Sequence, residues 1–262
     1  MVKEKVISII KQLTKHDYVE IVTRGNSAIT SALTNCKKVL IPEEGGWIHY
    51  KTAPKNLGIE VVEVMCDDAK INLKDLQKKA KNCDAFLYQN PGGYFAEQPM
   101  KKIYEICKKN DCLVILDCSG GIGTRLCDGR YADIIVGSFG KWKLVDAQVG
   151  GFVSCRSKKV FDSMSFERLD EAAMLKMLQK LEELPERIRF LEQIRDKIVD
   201  DLNSYNIVCK NDLGFVVVVR YSSEKEKEEI VDYCKENKLP YTECPRYIRL
   251  NDKAISIEVK RL

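Results

Sequence analysis

Two apolar strands in the middle of the chain each deliver chemistry at their carboxyl ends. LVILD ends on Asp117. DIIVGS ends on Ser138 and is followed at once by Lys141 and Lys143 in GKWK, then by the pair Gly150-Gly151. An acid and a lysine presented at the ends of neighbouring buried strands suit pyridoxal 5'-phosphate (PLP) chemistry. The acid keeps a pyridinium nitrogen protonated, so that the ring withdraws electrons from a substrate carbon. The lysine carries the cofactor as a Schiff base and later moves protons as a general base. Burial that lowers the lysine's proton affinity favours that second task.

Other segments offer the remaining contacts. In TRGNSAITSAL (23–33), Gly25, Asn26 and Ser27 open a helical pattern. Free backbone N–H groups at such a start make a seat for phosphate. Trp47 follows strand KVLIP and the pair Gly45-Gly46, where a flat ring can stack on a flat cofactor. Asn90-Pro91 in YQNPGG is a turn signal, and the asparagine amide can donate to a phenolic oxygen of the cofactor. The Ser138 hydroxyl stands ready for phosphate.

These residues need a scaffold. Short apolar runs at 18–22, 38–42, 61–65, 85–89, 113–117, 133–138 and 151–155 alternate with helical patterns at 26–34, 47–57, 72–81 and 99–109. The alternation predicts an α/β fold with a mostly parallel central sheet flanked by helices. Ligands on such sheets bind beyond the carboxyl ends of the strands, where Asn90, Asp117 and Ser138 fall. Residues 161–205 read as a long connecting helix, with Pro185 kinking or restarting it. Residues 206–262 read as a small C-terminal α+β domain: a strand in GFVVVVRY, a helix in EKEKEEIVDYCKEN, then strand-like YIRL and AISIEV. The expected units are therefore 1–160, 161–205 and 206–262.

Composition excludes several classes. The chain has 262 residues, 45% hydrophobic and 31% charged, with a formal net charge of +4. That is an ordinary globular balance, and no dense basic stripe with interleaved aromatics points to nucleic acid. Basic KDLQKKAK (74–81) reads as the solvated face of an amphipathic helix. No signal-like apolar run opens the chain and no run is long enough for a membrane span, so a cytoplasmic protein is expected. Eleven cysteines are scattered without a CxxC pair and only two histidines accompany them. No metal site is expected, and the cysteines read as small buried hydrophobes in a reducing compartment.

Together, RGNSAI, Trp47, Asn90-Pro91, Asp117, Ser138-Phe139 and the lysines resemble, in order and spacing, the PLP-dependent fold-type I (aspartate aminotransferase-like) superfamily over about residues 18–205. FERLDEAAMLKMLQKLEELPERIR is similar to the helical segment of the DegT-like sugar aminotransferases. Those enzymes carry SFxxxK before a double glycine, which selects Lys143. The aspartate aminotransferase branch carries SFxK, which selects Lys141. The resemblance implies a PLP fold type I large domain and cofactor contacts from Gly25, Asn26, Ser27, Trp47, Asn90, Asp117, Ser119 and Ser138. It also implies a homodimer and transamination of a small amino-group substrate. YIRL resembles the strand whose arginine holds a substrate carboxylate, so Arg249 and Arg246 are the substrate-binding candidates, with Arg24 and Arg125 as weaker ones.

The chain also departs from that pattern. The DegT-like His or Gln three residues after the aspartate is Gly120 here. The elements that help hold a nucleotide-sugar are abbreviated. The abbreviation favours a small amino-acid substrate or a degenerate enzyme, and Gly120 favours a non-catalytic homologue. Alternatives are another fold-type I reaction (lyase, desulfurase or decarboxylase) or a non-catalytic PLP-binding homologue.

Overall fold

The computed structural model describes residues 2–262; residue 1, at the start of the expected 1–160 unit, lies outside them. In chain order the elements begin α1 (Val2–Thr14), β1 (Tyr18–Val22), α2 (Gly25–Leu33), β2 (Lys38–Pro42), α3 (His49–Leu57) and β3 (Glu60–Val64). A short hairpin follows, β4 (Cys66–Asp67) and β5 (Lys70–Ile71), then α4 (Leu73–Lys79), β6 (Ala85–Gln89), α5 (Met100–Lys108), β7 (Leu113–Asp117), β8 (Ile134–Ser138) and β9 (Gly151–Cys155). The large sheet has the order β1-β9-β8-β7-β6-β2-β3. Its pairs from β8 through to β3 are parallel, and β9 runs antiparallel to both its neighbours. The expected mostly parallel sheet is present.

Each central strand is apolar on both faces because both faces are covered. Successive residues point to opposite sides. Phe86, Val114, Leu116 and Ile135 join one core with α1, α5 and the later helices, while Ala85, Leu87, Ile115 and Ile134 join the other with α2 and α3.

Residues 161–205 do not form one long helix. The chain carries α6 (Lys158–Asp162), a largely irregular stretch ending in a 3-10 turn at Glu171–Ala173, then α7 (Met174–Glu182) and α8 (Leu184–Asp201). Pro185 sits in the first turn of α8, where its missing N–H costs no helical bond, so it restarts the helix. The C-terminal part holds β10 (Asn206–Val208), β11 (Val217–Arg220), α9 (Glu224–Glu236), β12 (Tyr241–Cys244) and β13 (Ala254–Ile257), paired antiparallel in the order β10-β11-β13-β12. YIRL is not a strand. Pro245 cannot donate to a ladder, and the chain turns there, the Arg246 N–H donating to the Leu250 carbonyl. Among the described residues, no helix is long and apolar enough to cross a membrane.

Candidate active site

The carboxyl ends of β7 and β8 open into a cavity of about 170 Å³. It is lined by Gly25, Asn26, Trp47, Asp117, Ser138 and Lys143, and also by Ser119, Tyr94, Arg24 and Ile29. Residues spread over 120 positions of sequence thus converge because the parallel strands all end on this side.

Asp117 is the last residue of β7 and only 4% exposed. A buried carboxylate must be bonded. Its Oδ1 accepts the backbone N–H of Ser119 at 2.9 Å, closing the turn that ends the strand. Its Oδ2 accepts the hydroxyl of Tyr50 at 2.7 Å. Tyr50 is fully buried. Burial, reinforced by the Asp117 charge, pushes its phenol well above the usual range, so it remains a donor. The Ser119 hydroxyl accepts the N–H of Ser138 at 3.0 Å, fixing β8 against the Asp117 turn.

Gly25 opens α2, whose first turn has no side-chain cap. A Cβ on Gly25 would stand 2.5 Å from Ser138 Cβ. Only glycine lets this helix start close enough to Ser138 for both to face one anion. Gly151 serves the same approach from β9: a Cβ there would lie 2.8 Å from the Gly25 nitrogen. The Trp47 indole N–H donates to Asn26 Oδ1 at 2.9 Å, which fixes the ring at the cavity wall.

Lys143 and Lys141 separate clearly. The Lys143 amine lies 4.9 Å from the centre of the Trp47 ring and donates to the Tyr94 hydroxyl inside the cavity. Lys141 is exposed and its amine lies 4.6 Å from the centre of the outward-facing Trp142 ring, away from the cavity lining.

Other expected residues stand elsewhere. Asn90 is fully buried and its amide is engaged away from the cavity: an N–H donates to the Leu126 carbonyl at 3.1 Å and its oxygen accepts the Gln98 N–H at 3.0 Å. It ties loops beneath the site and does not line the cavity. The Ser27 hydroxyl donates to Glu167 at 2.5 Å and also does not reach it. Arg246 is exposed. Arg249 is 2% exposed and bound through Nε and Nη2 to the fully buried Glu258, at 2.9 and 2.6 Å, with Nη1 on the Ile248 carbonyl. Its fork is already filled by an internal carboxylate. Arg125 pairs with Glu97. Arg24 is the arginine among the cavity-lining residues.

Tyr50 and Tyr94 escaped the sequence reading. Neither stands at a strand end: Tyr50 lies on α3 and Tyr94 in the loop after Asn90-Pro91. The pair Gly92-Gly93 before Tyr94 marks a tight turn, the one signal that this loop folds back.

PLP fits what is present. The cavity offers a carboxylate for the ring nitrogen, an uncapped helix start packed on a serine for phosphate, an indole for the ring face and an amine for the aldehyde. The fold and these side chains define a PLP fold-type I enzyme. The sequence matches the model of the aminotransferase class I and II family over residues 15–253, and the chain belongs to that family. No curated protein sequence matches it. Among solved structures it is similar to NtdA from Bacillus subtilis with bound cofactor PMP (TM-score 0.81, 14% identity, 98% of this chain and 72% of the other). It is also similar to 3-amino-5-hydroxybenzoic acid synthase (TM-score 0.77, 16% identity, 98% and 85%). A third likeness is to serine palmitoyltransferase from S. paucimobilis (TM-score 0.75, 15% identity, 98% and 71%). PLP is the cofactor of this family.

Proposed function

We propose that this chain is an aminotransferase of the DegT-like kind, acting on a small amino-group substrate, with Lys143 as the cofactor-anchoring residue. One observation carries the reading: the Lys143 amine and the Asp117 carboxylate line one cavity with Ser138 and the open start of α2. When bound, PLP supplies an electron sink for the bond broken at the substrate carbon. Asp117, oriented by Tyr50 and Ser119, holds a proton at the ring nitrogen. Gly25, Asn26 and Ser138 bind the phosphate, and Trp47 covers a ring face and keeps water from it. The Lys143 amine moves the proton at the substrate α-carbon. Arg24 takes the anionic group that Arg249 and Arg246 were expected to hold.

We infer the remaining features on the same basis. The units 1–160, 161–205 and 206–262 act as cofactor domain, connection and small domain. A second copy completes the active unit as a homodimer. Eleven cysteines, all unpaired in the structure, suit a reducing cytoplasm.

The test is an absorbance spectrum of the purified chain with PLP. A band at about 410–430 nm, abolished by borohydride, is expected. A protein that stays colourless overturns the reading. The band should vanish in Lys143→Ala and persist in Lys141→Ala. An amino-donor screen then separates transamination from a lyase or desulfurase reaction.

A further inference from the structure

Tyr94 is held in an unusual way. Its φ is +71°, in the left-handed region that a bulky residue adopts only when its surroundings enforce it. The surrounding contacts enforce it: its N–H donates to the Pro91 carbonyl, and its carbonyl accepts the N–H of Phe215. The ring is 3% exposed and packs against Gly120, where a Cβ would stand 2.5 Å from Tyr94 Cδ1. Behind it lie the Arg249 guanidinium carbon and the Lys260 amine, 5.0 and 4.7 Å from the ring centre. The hydroxyl emerges into the cavity and accepts the hydrogen bond of Lys143.

We propose that Tyr94 is the positioning residue for Lys143, and that its ring has taken the space a side chain at residue 120 would fill. The proposal rests on the reading of Lys143 as the anchoring lysine. It accounts for Gly120: a larger residue there would expel the ring from behind the amine. It also accounts for the buried Arg249 guanidinium, whose attraction to the ring face holds the phenol in place. The groups beside the Lys143 amine are the Tyr94 hydroxyl and ring, the Trp47 ring and Lys260, and Asp117 and Arg24 line the same cavity.

A hydroxyl that accepts from the amine holds it in one place. A ring that only fills space does not. Tyr94→Phe keeps the ring and removes the acceptor, so it separates the two roles. The experiment follows the rate of amine-selective labelling of Lys143 at one fixed pH in the full chain without added PLP, mapped by mass spectrometry. In Tyr94→Phe, Lys143 should label about tenfold faster, because the amine swings free of its acceptor. With PLP added, the visible band should form about tenfold more slowly or worse, because the amine is no longer aimed. An unchanged labelling rate overturns the proposal. The shared space is tested by a cycle. Gly120→Ala should slow band formation in the native background and add little in Tyr94→Leu, where the ring is gone. Equal effects in both backgrounds would show that the ring does not occupy that space. Colour surviving Lys143→Ala would defeat the functional reading instead, whereas the labelling rate is read at Lys143 without PLP.

Discussion

The Tyr50 hydroxyl donates to Asp117 Oδ2 at 2.7 Å, from a helix that begins after β2 to a strand end far along the chain. With the Ser119 N–H on the other oxygen, it leaves the carboxylate oriented at the cavity wall. Tyr50→Phe should therefore destabilise the protein by about 1–3 kcal/mol, since the buried carboxylate loses one of its two protein donors. Chemical denaturation of the chain without PLP measures this directly. A loss within error of zero would mean that Asp117 finds another donor.

Gly25 and Ser138 approach too closely for any side chain at residue 25, because a Cβ would also lie 3.0 Å from Ser138 Oγ and 3.3 Å from its Cα. Ser138 ends a strand locked on both sides and cannot retreat. Gly25→Ala must then push the start of α2 away from Ser138 and open the phosphate seat. The expected result is PLP binding weakened about tenfold to a hundredfold with the fold retained. Titration of PLP by fluorescence quenching, with circular dichroism as the control for folding, measures it. Unchanged affinity would place the phosphate elsewhere.

The sheet was legible in the sequence because strands covered on both faces must be short apolar runs, and such runs stand out between helical patterns. Their polar last residues, Asp117 and Ser138, were legible for the same reason. Tyr50 and Tyr94 were not, because an aromatic on a helix or in a loop reads as core until its hydroxyl is seen to reach a partner. Arg249 failed in the opposite direction. Arginine near the C-terminus suggested a substrate clamp, but Glu258 fills the guanidinium fork, and that pairing depends on how a turn and the end of β13 are placed in space. The edge strands β10 and β12 escaped because their solvent-facing residues interrupt the apolar run.

The Arg249–Glu258 pair has a titratable companion in Lys260, only 5% exposed, whose amine lies 3.5 Å from Glu258 and 3.4 Å from the Trp142 carbonyl. Burial, reinforced by the Arg249 charge, pushes the Lys260 amine down to about 7. Burial alone would raise the Glu258 carboxyl, but Arg249, Lys260 and Arg261 outweigh it and hold it at about 2. The two groups give opposite pH dependences. Glu258 contributes stability that is complete above its ordinary value of 4.5 and is lost as the pH falls toward 2. Lys260 is a penalty: between 7 and its ordinary value of 10.5 the unfolded chain carries the proton that the folded one has shed. Raising the pH through that window therefore favours the folded state. Lys260→Met removes the penalty and keeps the stem's volume. It should stabilise the protein at neutral pH by about 1–3 kcal/mol. That gain should shrink steadily as the pH rises to about 9 and beyond. Parallel urea titrations of the two proteins across this range measure the gap. A gap of opposite sign, or one that does not narrow with pH, would show that the Lys260 amine keeps its proton in the fold through a partnership with Glu258 strong enough to repay its burial.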